Sequence, residues 1–117
     1  MLTDEYRYKI LKVLEKNPEI SQRDLASELG VSLGRVNYCL KALINVGLLK
    51  VTNFRNSKNK LAYMYLLTPT GVKEKSIITE RFLKMKLQEF EALEAEINML
   101  RAEAKTNGNN IRSVIHE

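Results

Sequence analysis

The spacing of apolar residues over positions 1–46 predicts three short helices. The first helix begins after Thr3 and the acids that follow it, and Asn17-Pro18 ends it near Lys16. We expect its apolar face to pack behind the other two helices. That face comprises Tyr6, Ile10, Val13 and Leu14.

The second and third helices have the spacing of a helix-turn-helix. The second begins at the N-cap Ser21 and ends at Gly30, where the backbone usually needs a positive φ. The third, which we call the recognition helix, spans residues 32–46 with Ser32 as its N-cap. It buries Val36, Leu40 and Leu43 at i, i+4, i+7 spacing. Such a pair of helices leaves the second one exposed, where it can enter a major groove.

After Gly47 the pattern favours strands over helices. Residues 48–55 and 61–67 are rich in β-branched, aromatic and aliphatic side chains, and the residues between them are polar and basic. This predicts a β-hairpin. A helix-turn-helix followed by a hairpin is a winged helix, and residues 53–61 are the wing. Because Tyr63 and Tyr65 share one face of a strand, we expect both to pack against the helices.

A long helix is predicted from Thr68-Pro69 onward, since Thr suits the N-cap and Pro suits the first helical position. From Leu83 its apolar residues form a heptad-like seam in which Lys86 is the only polar member. The seam favours pairing with a second helix, although the helix could instead lie on its own domain. The expected dimer interface comprises Phe82, Leu83, Phe90, Leu93, Ile97 and Leu100. Residues 106–110 should end the helix.

The predicted fold is therefore mainly α with a small β-hairpin wing. A winged helix-turn-helix domain occupies residues 1–68, a long dimerisation helix occupies residues 69–105, and residues 106–117 form a flexible tail.

Charge is distributed unevenly between these parts. Residues 1–68 hold eleven Lys and Arg against six Asp and Glu, whereas residues 69–117 hold eight of each. From Leu29 to Lys73 the chain has no acidic residue but seven basic ones. This asymmetry indicates a polyanionic partner for the first part.

The sequence contains no candidate catalytic residues. Cys39 and His116 are its only cysteine and histidine, so it has no disulfide framework, metal-ligand cluster or Cys/His couple. We expect Cys39 to be a half-buried packing residue. No apolar run approaches the roughly 18 residues of a membrane span, and no signal peptide is evident. We therefore expect a bacterial cytoplasmic, nucleoid-associated protein that is not an enzyme and needs no cofactor.

The chain resembles the MarR-type winged-helix transcriptional regulators, most closely the short subfamily associated with bacterial exopolysaccharide (EPS) gene clusters. The resemblance covers roughly Tyr6 to Glu103. It implies a homodimer that binds double-stranded DNA and regulates exopolysaccharide genes. Longer members have extra helices that enclose a ligand crevice, so a small-molecule effector is not expected here. Three blocks carry the resemblance: NPEISQRDLASELGVSLGRVNYCLKALINVG, FRNSKNKLAYMYLLTPTG and RFLKMKLQEFEALEAEI.

Five residues of the recognition helix are expected to face DNA. Arg35 can bind guanine edges bidentately, and Asn37 can do the same for adenine. Tyr38 can bind a phosphate or pack on a thymine methyl group, and Lys41 more readily reaches a phosphate. Gly34 leaves the start of the helix without a side chain and so permits close approach to DNA.

The helix starts and the wing are expected to hold the DNA backbone. Ser32 and the free N–H groups of its helix form a phosphate seat. In the wing, Arg55 or Lys58 is expected in or over the minor groove, Lys60 on a phosphate, and Asn56 in the tight turn. Three residues at the start of the second helix could hold the flanking strand: Ser21, Gln22 and Arg23.

Other functions fit the pattern less well. Some winged helices bind a partner protein and no DNA, but such a protein–protein interaction module has no need for an acid-free basic face. An RNA-binding winged helix is disfavoured because the major groove of A-form RNA is too narrow for a helix. An enzyme fits least.

Overall fold

The computed structural model describes the backbone of residues 3–116 and the side chains of residues 3–108. It confirms the predicted fold class, a winged helix-turn-helix followed by a long helix. In chain order the elements are α1 (Asp4–Lys16), α2 (Gln22–Leu29), α3 (Leu33–Asn45), β1 (Leu49–Arg55), β2 (Leu61–Leu67) and α4 (Pro69–His116).

The first three helices begin at the predicted N-caps. In each case the cap hydroxyl of Thr3, Ser21 or Ser32 accepts a hydrogen bond from the backbone N–H three residues later, at 3.0–3.3 Å. Replacing such a cap by alanine typically costs about 0.5–2 kcal/mol. Helix α2 ends at Gly30, whose φ of 68° is the left-handed conformation expected there.

The core consists of apolar side chains together with Tyr65. As predicted, α1 packs behind the helix-turn-helix, although it does so through Leu11 as well as the expected Ile10 and Leu14. Cys39 is only 3% exposed, so its expected half-burial is wrong. The buried set comprises Ile10, Leu11, Leu14, Ile20, Leu25, Ala26, Val36, Cys39, Leu40, Leu43, Leu48, Leu49, Tyr65 and Ile78.

Strands β1 and β2 pair antiparallel, with Leu49 opposite Leu67 at the base and Arg55 opposite Leu61 near the tip. Tyr65 is buried near the base, and its backbone N–H donates to the carbonyl of Pro18 at 3.0 Å. Tyr63 is 60% exposed, so its predicted packing against the helices is wrong. The two tyrosines share a face, but only the base of the hairpin lies against the core.

Helix α4 begins in close contact with the hairpin. The hydroxyl of Thr68 donates to the carbonyl of Gly47 at 2.6 Å and accepts from the N–H of Gly71 at 2.9 Å, the bond expected of an N-cap. The Thr68 N–H donates to the carbonyl of Leu48 at 3.1 Å. Gly71 is buried, and a Cβ at this position would overlap the Leu48 carbonyl oxygen. The junction therefore requires glycine.

The chain divides into two compact units between Phe82 and Leu83. The first turns of α4 belong to the first unit because Ile78 is fully buried in its core. Phe82 stacks on Tyr8 of α1, with ring centroids 5.2 Å apart. Ion pairs of 2.9 Å and 3.0 Å also join this part of α4 to α1.

The prediction that the long helix ends at residues 106–110 is wrong, since α4 continues to His116. A glycine ends a helix by adopting a positive φ, and Gly108 is not among the glycines that do so. The Thr106 hydroxyl donates to the carbonyl of Ala102 at 3.0 Å, a bond that a helical residue can make without breaking the helix.

Candidate nucleic-acid interface

The recognition helix α3 presents one exposed face opposite its buried one. At about 100° per residue, Gly34, Tyr38, Lys41 and Asn45 lie on this face, and all four are exposed. Tyr38 is 61% exposed. The structure therefore brings Gly34, Tyr38 and Lys41 together, as predicted, and leaves a large aromatic ring and an ammonium group in solvent.

Arg35 lies on one flank of this face and stacks on a residue of α1. Its guanidinium carbon is 4.5 Å from the centroid of the Tyr6 ring. Stacking engages the flat face of a guanidinium and leaves its in-plane N–H groups available for hydrogen bonds. Tyr6 thus supports a predicted base-reading residue. The sequence pattern indicated only that Tyr6 belongs to the packing face of α1.

Asn37 lies on the opposite flank and is half-buried. Its Nδ2 donates to Oε1 of Gln22, the first residue of α2, at 3.2 Å. Nε2 of Gln22 in turn donates to the hydroxyl of Tyr65 at 2.8 Å. Two residues predicted separately as DNA contacts are therefore joined to each other and to the base of the wing. We call this chain of hydrogen bonds the amide relay.

The starts of α2 and α3 place Ser21, Arg23 and Ser32 at exposed positions. The two serine hydroxyls are occupied as N-caps by the backbone of their own helices. The first N–H groups of a helix have no intrahelical partner, so each start carries partial positive charge. No side chain among the described residues pairs with the Arg23 guanidinium.

The wing tip is a tight turn built around Asn56. Its Oδ1 accepts from the backbone N–H groups of Lys58, at 2.9 Å, and Lys60, at 3.0 Å. Asn59 adopts a φ of 58°, and Nη1 of Arg55 donates to its carbonyl at 3.3 Å. Arg55 and Asn56 thus shape the tip, while the side chains of Lys58 and Lys60 are exposed around it.

The ion pairs among the described residues lie away from α3 and the wing. All those formed among the described side chains lie within or between α1 and α4. No basic residue of α3 or the wing has a carboxylate partner within the part of the chain that the structure describes. The positive charge that the sequence concentrates between Leu29 and Lys73 is therefore not neutralised locally, and it can attract a polyanion.

The second unit, considered by itself, exposes the predicted seam of α4. Its large apolar members are 39% to 59% exposed, and Lys86 is paired with Glu89 at 3.1 Å. Phe82 differs from the other predicted interface residues because it stacks on Tyr8 within the first unit. The exposed members are Leu83, Phe90, Leu93, Ile97 and Leu100.

Among the described residues, no helix is long and apolar enough to cross a membrane. The same residues contain no group of three or more His, Cys, Asp or Glu side chains placed to hold a metal ion. The thiol of Cys39 is free and buried.

Comparisons with known proteins agree with this fold. A family model described as winged helix-turn-helix DNA-binding matches residues 3–50, which span α1 to the start of β1. Among curated proteins, none matches the sequence.

Similar solved structures include three transcriptional regulators. PcaV from Streptomyces coelicolor, in complex with its natural ligand, is 20% identical over 68% of this chain and 55% of its own, with a TM-score of 0.56. A MarR/EmrR family regulator from Acinetobacter sp. ADP1 is 22% identical over 92% of this chain and 75% of its own, with a TM-score of 0.59. FabT from Streptococcus pneumoniae, in complex with DNA, is 22% identical over 72% of this chain and 57% of its own, with a TM-score of 0.50. At these identities the shared property is the fold.

Proposed function

We propose that this protein is a homodimeric, sequence-specific regulator of transcription of the MarR type, which binds double-stranded DNA. The observation that carries this proposal is the surface of α3 and the wing, whose basic side chains have no carboxylate partner among the described residues. The match to a DNA-binding winged-helix family supports it. So does the likeness in fold to a regulator solved in complex with DNA.

In the proposed complex the recognition helix, residues 32–46, lies in the major groove. Tyr38 and Lys41 project from its exposed face, so Tyr38 meets a thymine methyl group or a phosphate and Lys41 meets a phosphate. Arg35 and Asn37, on the two flanks, read guanine and adenine edges. The absence of a side chain at Gly34 lets the start of the helix approach closely.

The wing, residues 53–61, is proposed to contact the minor groove. Because Arg55 bonds to the turn itself, we assign the groove contact to Lys58 and the neighbouring phosphate to Lys60. Arg55 and Asn56 hold the tip in shape. Phosphates of the flanking strand are assigned to the starts of the two helices. The residues there are Ser21, Gln22, Arg23 and Ser32.

We further propose that two copies pair through the exposed seam of α4. Pairing would remove from water the apolar side chains that the second unit leaves exposed. It would also place two recognition helices about one duplex turn, roughly 34 Å, apart on a near-palindromic operator. The resemblance to EPS-associated regulators supports exopolysaccharide genes as the target. Such a regulator would act in the bacterial cytoplasm, where the DNA is.

The salt dependence of binding to duplex DNA tests this proposal. Each phosphate neutralised lowers the slope of log K against log[salt] by about 0.9. Four cations in each protomer contact DNA in this proposal, and the resulting eight contacts give a dimer a slope of roughly −7. They are Arg23, Lys41, Lys58 and Lys60. Fluorescence anisotropy with a labelled duplex measures it.

Lys58→Ala should make that slope shallower by about 2, because a dimer loses two contacts. Lys84→Ala is the matched control, since it removes a lysine from the second unit, outside the proposed interface. Equal slopes for wild type and Lys58→Ala would contradict the wing contact. No retention of duplex DNA at low salt would favour the protein–protein interaction module.

A further inference from the structure

The amide relay joins side chains from three elements of the first unit. Tyr65 lies at the buried base of β2, Gln22 begins α2, and Asn37 lies on α3. Both hydrogen bonds are partly buried and join residues far apart in sequence. Such bonds are stronger in a partly desolvated position than in water.

An asparagine side chain alone does not fix which of its two terminal atoms faces a partner. Its amide group has nearly the same shape when the oxygen and nitrogen exchange places, but the two atoms have opposite hydrogen-bonding character. Gln22 breaks this equivalence, because its Oε1 can only accept a hydrogen bond. Nδ2 of Asn37 therefore faces Gln22, and Oδ1 of Asn37 is turned away from it.

Gln22 has the same ambiguity, because the hydroxyl of its neighbour Tyr65 can both donate and accept a hydrogen bond. The hydroxyl of Tyr65 accepts from Nε2 of Gln22, which holds Oε1 of Gln22 toward Asn37. In the structure both amide nitrogens of the relay therefore donate toward the wing, and Oδ1 of Asn37 faces away from it.

We propose that Gln22 and Tyr65 are positioning residues that hold the Asn37 amide in the orientation that selects adenine over guanine. This inference rests on the proposed DNA-binding function. One hydrogen of Nδ2 is used by Gln22, while Oδ1 and the second hydrogen remain for a base edge. Adenine matches that pair of groups with its N6 donor and N7 acceptor. Guanine presents an O6 acceptor where adenine has a donor. Its O6 would lie opposite Oδ1 of Asn37, and two acceptors cannot form a hydrogen bond.

Binding selection from a random duplex library tests the proposal with wild type, Gln22→Leu and Tyr65→Phe. In wild type, one position of each half-site should prefer adenine to guanine. Gln22→Leu removes both hydrogen bonds of the relay and should reduce that preference about fivefold or more. Tyr65→Phe should weaken it less. Tyr63→Phe is the matched control, because it removes a hydroxyl from the same strand outside the relay, and it should leave the preference unchanged.

Asn37→Ala identifies the position concerned. It should abolish the adenine preference at the same position that Gln22→Leu affects, and the double variant should lose no more than Asn37→Ala alone. Preferences at the other positions should change less than about twofold in Gln22→Leu, since the phosphate contact proposed for Gln22 carries no sequence information.

Gln22→Glu is a second variant that tests the relay in case Gln22→Leu does not fold. A carboxylate still accepts from Nδ2 of Asn37, so this variant should keep the adenine preference while binding more weakly to every sequence. Circular dichroism melting of each variant identifies loss of folding.

Three results would overturn the proposed positioning role of the relay. They are an unchanged preference in Gln22→Leu, an equal loss at every position, and a loss of the preference in Gln22→Glu. A wild-type protein that enriches no motif would instead overturn the proposed function, and the relay's role in base selection with it.

Discussion

Replacing Gly71 by alanine should destabilise the first unit although alanine favours helices. A Cβ at position 71 would overlap the Leu48 carbonyl oxygen and lie 3.0 Å from the carbonyl carbon. Both are backbone atoms of the hairpin base, so no flexible side chain can move aside. The Leu48 carbonyl also accepts a hydrogen bond from the Thr68 N–H. Displacing this carbonyl would therefore weaken that bond.

Three contributions determine the change in stability, of which two are destabilising and one is stabilising. Overpacking of this kind costs about 1–3 kcal/mol, and weakening one backbone hydrogen bond costs about 1 kcal/mol. The higher helix propensity of alanine returns about 1 kcal/mol. The net loss is about 2 kcal/mol, which lowers the melting temperature of a unit of this size by roughly 10 °C.

Thermal unfolding followed by circular dichroism measures this loss. All variants are compared at one protein concentration, because the proposed dimerisation would contribute to the apparent stability. Gly34→Ala is the matched control, since a Cβ there meets nothing within 4 Å. It should stabilise the fold by up to about 1 kcal/mol while weakening DNA binding, if the helix start approaches DNA closely. A Gly71→Ala protein that melts at or above the wild-type temperature would refute the steric reasoning.

Three further predictions concern binding and assembly. Arg35→Ala should cost about 1–3 kcal/mol of specific binding and relax base preference at one position, as measured by titration of matched and mismatched duplexes; unchanged specificity would refute base reading by Arg35. Lys58→Ala should weaken binding to specific and random duplexes to similar extents in the same titration, because a phosphate or minor-groove lysine contributes mainly electrostatically. A loss of binding confined to the specific duplex would contradict this prediction. Leu93→Glu combined with Ile97→Glu should give monomers in analytical ultracentrifugation, because the charges would fall in the apolar seam; a surviving dimer would show that the interface lies elsewhere.

Local signals in the sequence were sufficient for the first three helices, the start of α4 and the hairpin. Ser21 and Ser32 each accept the expected capping bond, and Gly30 adopts the expected positive φ. These features depend on residues within one turn of each other, so a sequence pattern can reveal them. The strand boundaries followed in the same way from the polar, basic turn between two apolar runs.

Contacts between distant residues could not be predicted in this way. The stacking of Arg35 on Tyr6 and the hydrogen bond between Gln22 and Asn37 depend on how three helices pack. Alternation along β2 showed that Tyr63 shares a face with Tyr65. It could not show how far the hairpin extends beyond the core. The end of α4 was also ambiguous, because a glycine such as Gly108 can either end a helix or continue it at a cost of about 1 kcal/mol.

The most direct test of the central proposal is binding selection by the wild-type protein from a random duplex library at physiological salt, with the enriched sites sequenced. A homodimer with α3 in the major groove should enrich a two-fold symmetric motif whose half-sites are about 10 base pairs apart, centre to centre. Retention of DNA only at low salt, with no enriched motif, would contradict the account and leave non-specific electrostatic attraction as the explanation of the basic surface.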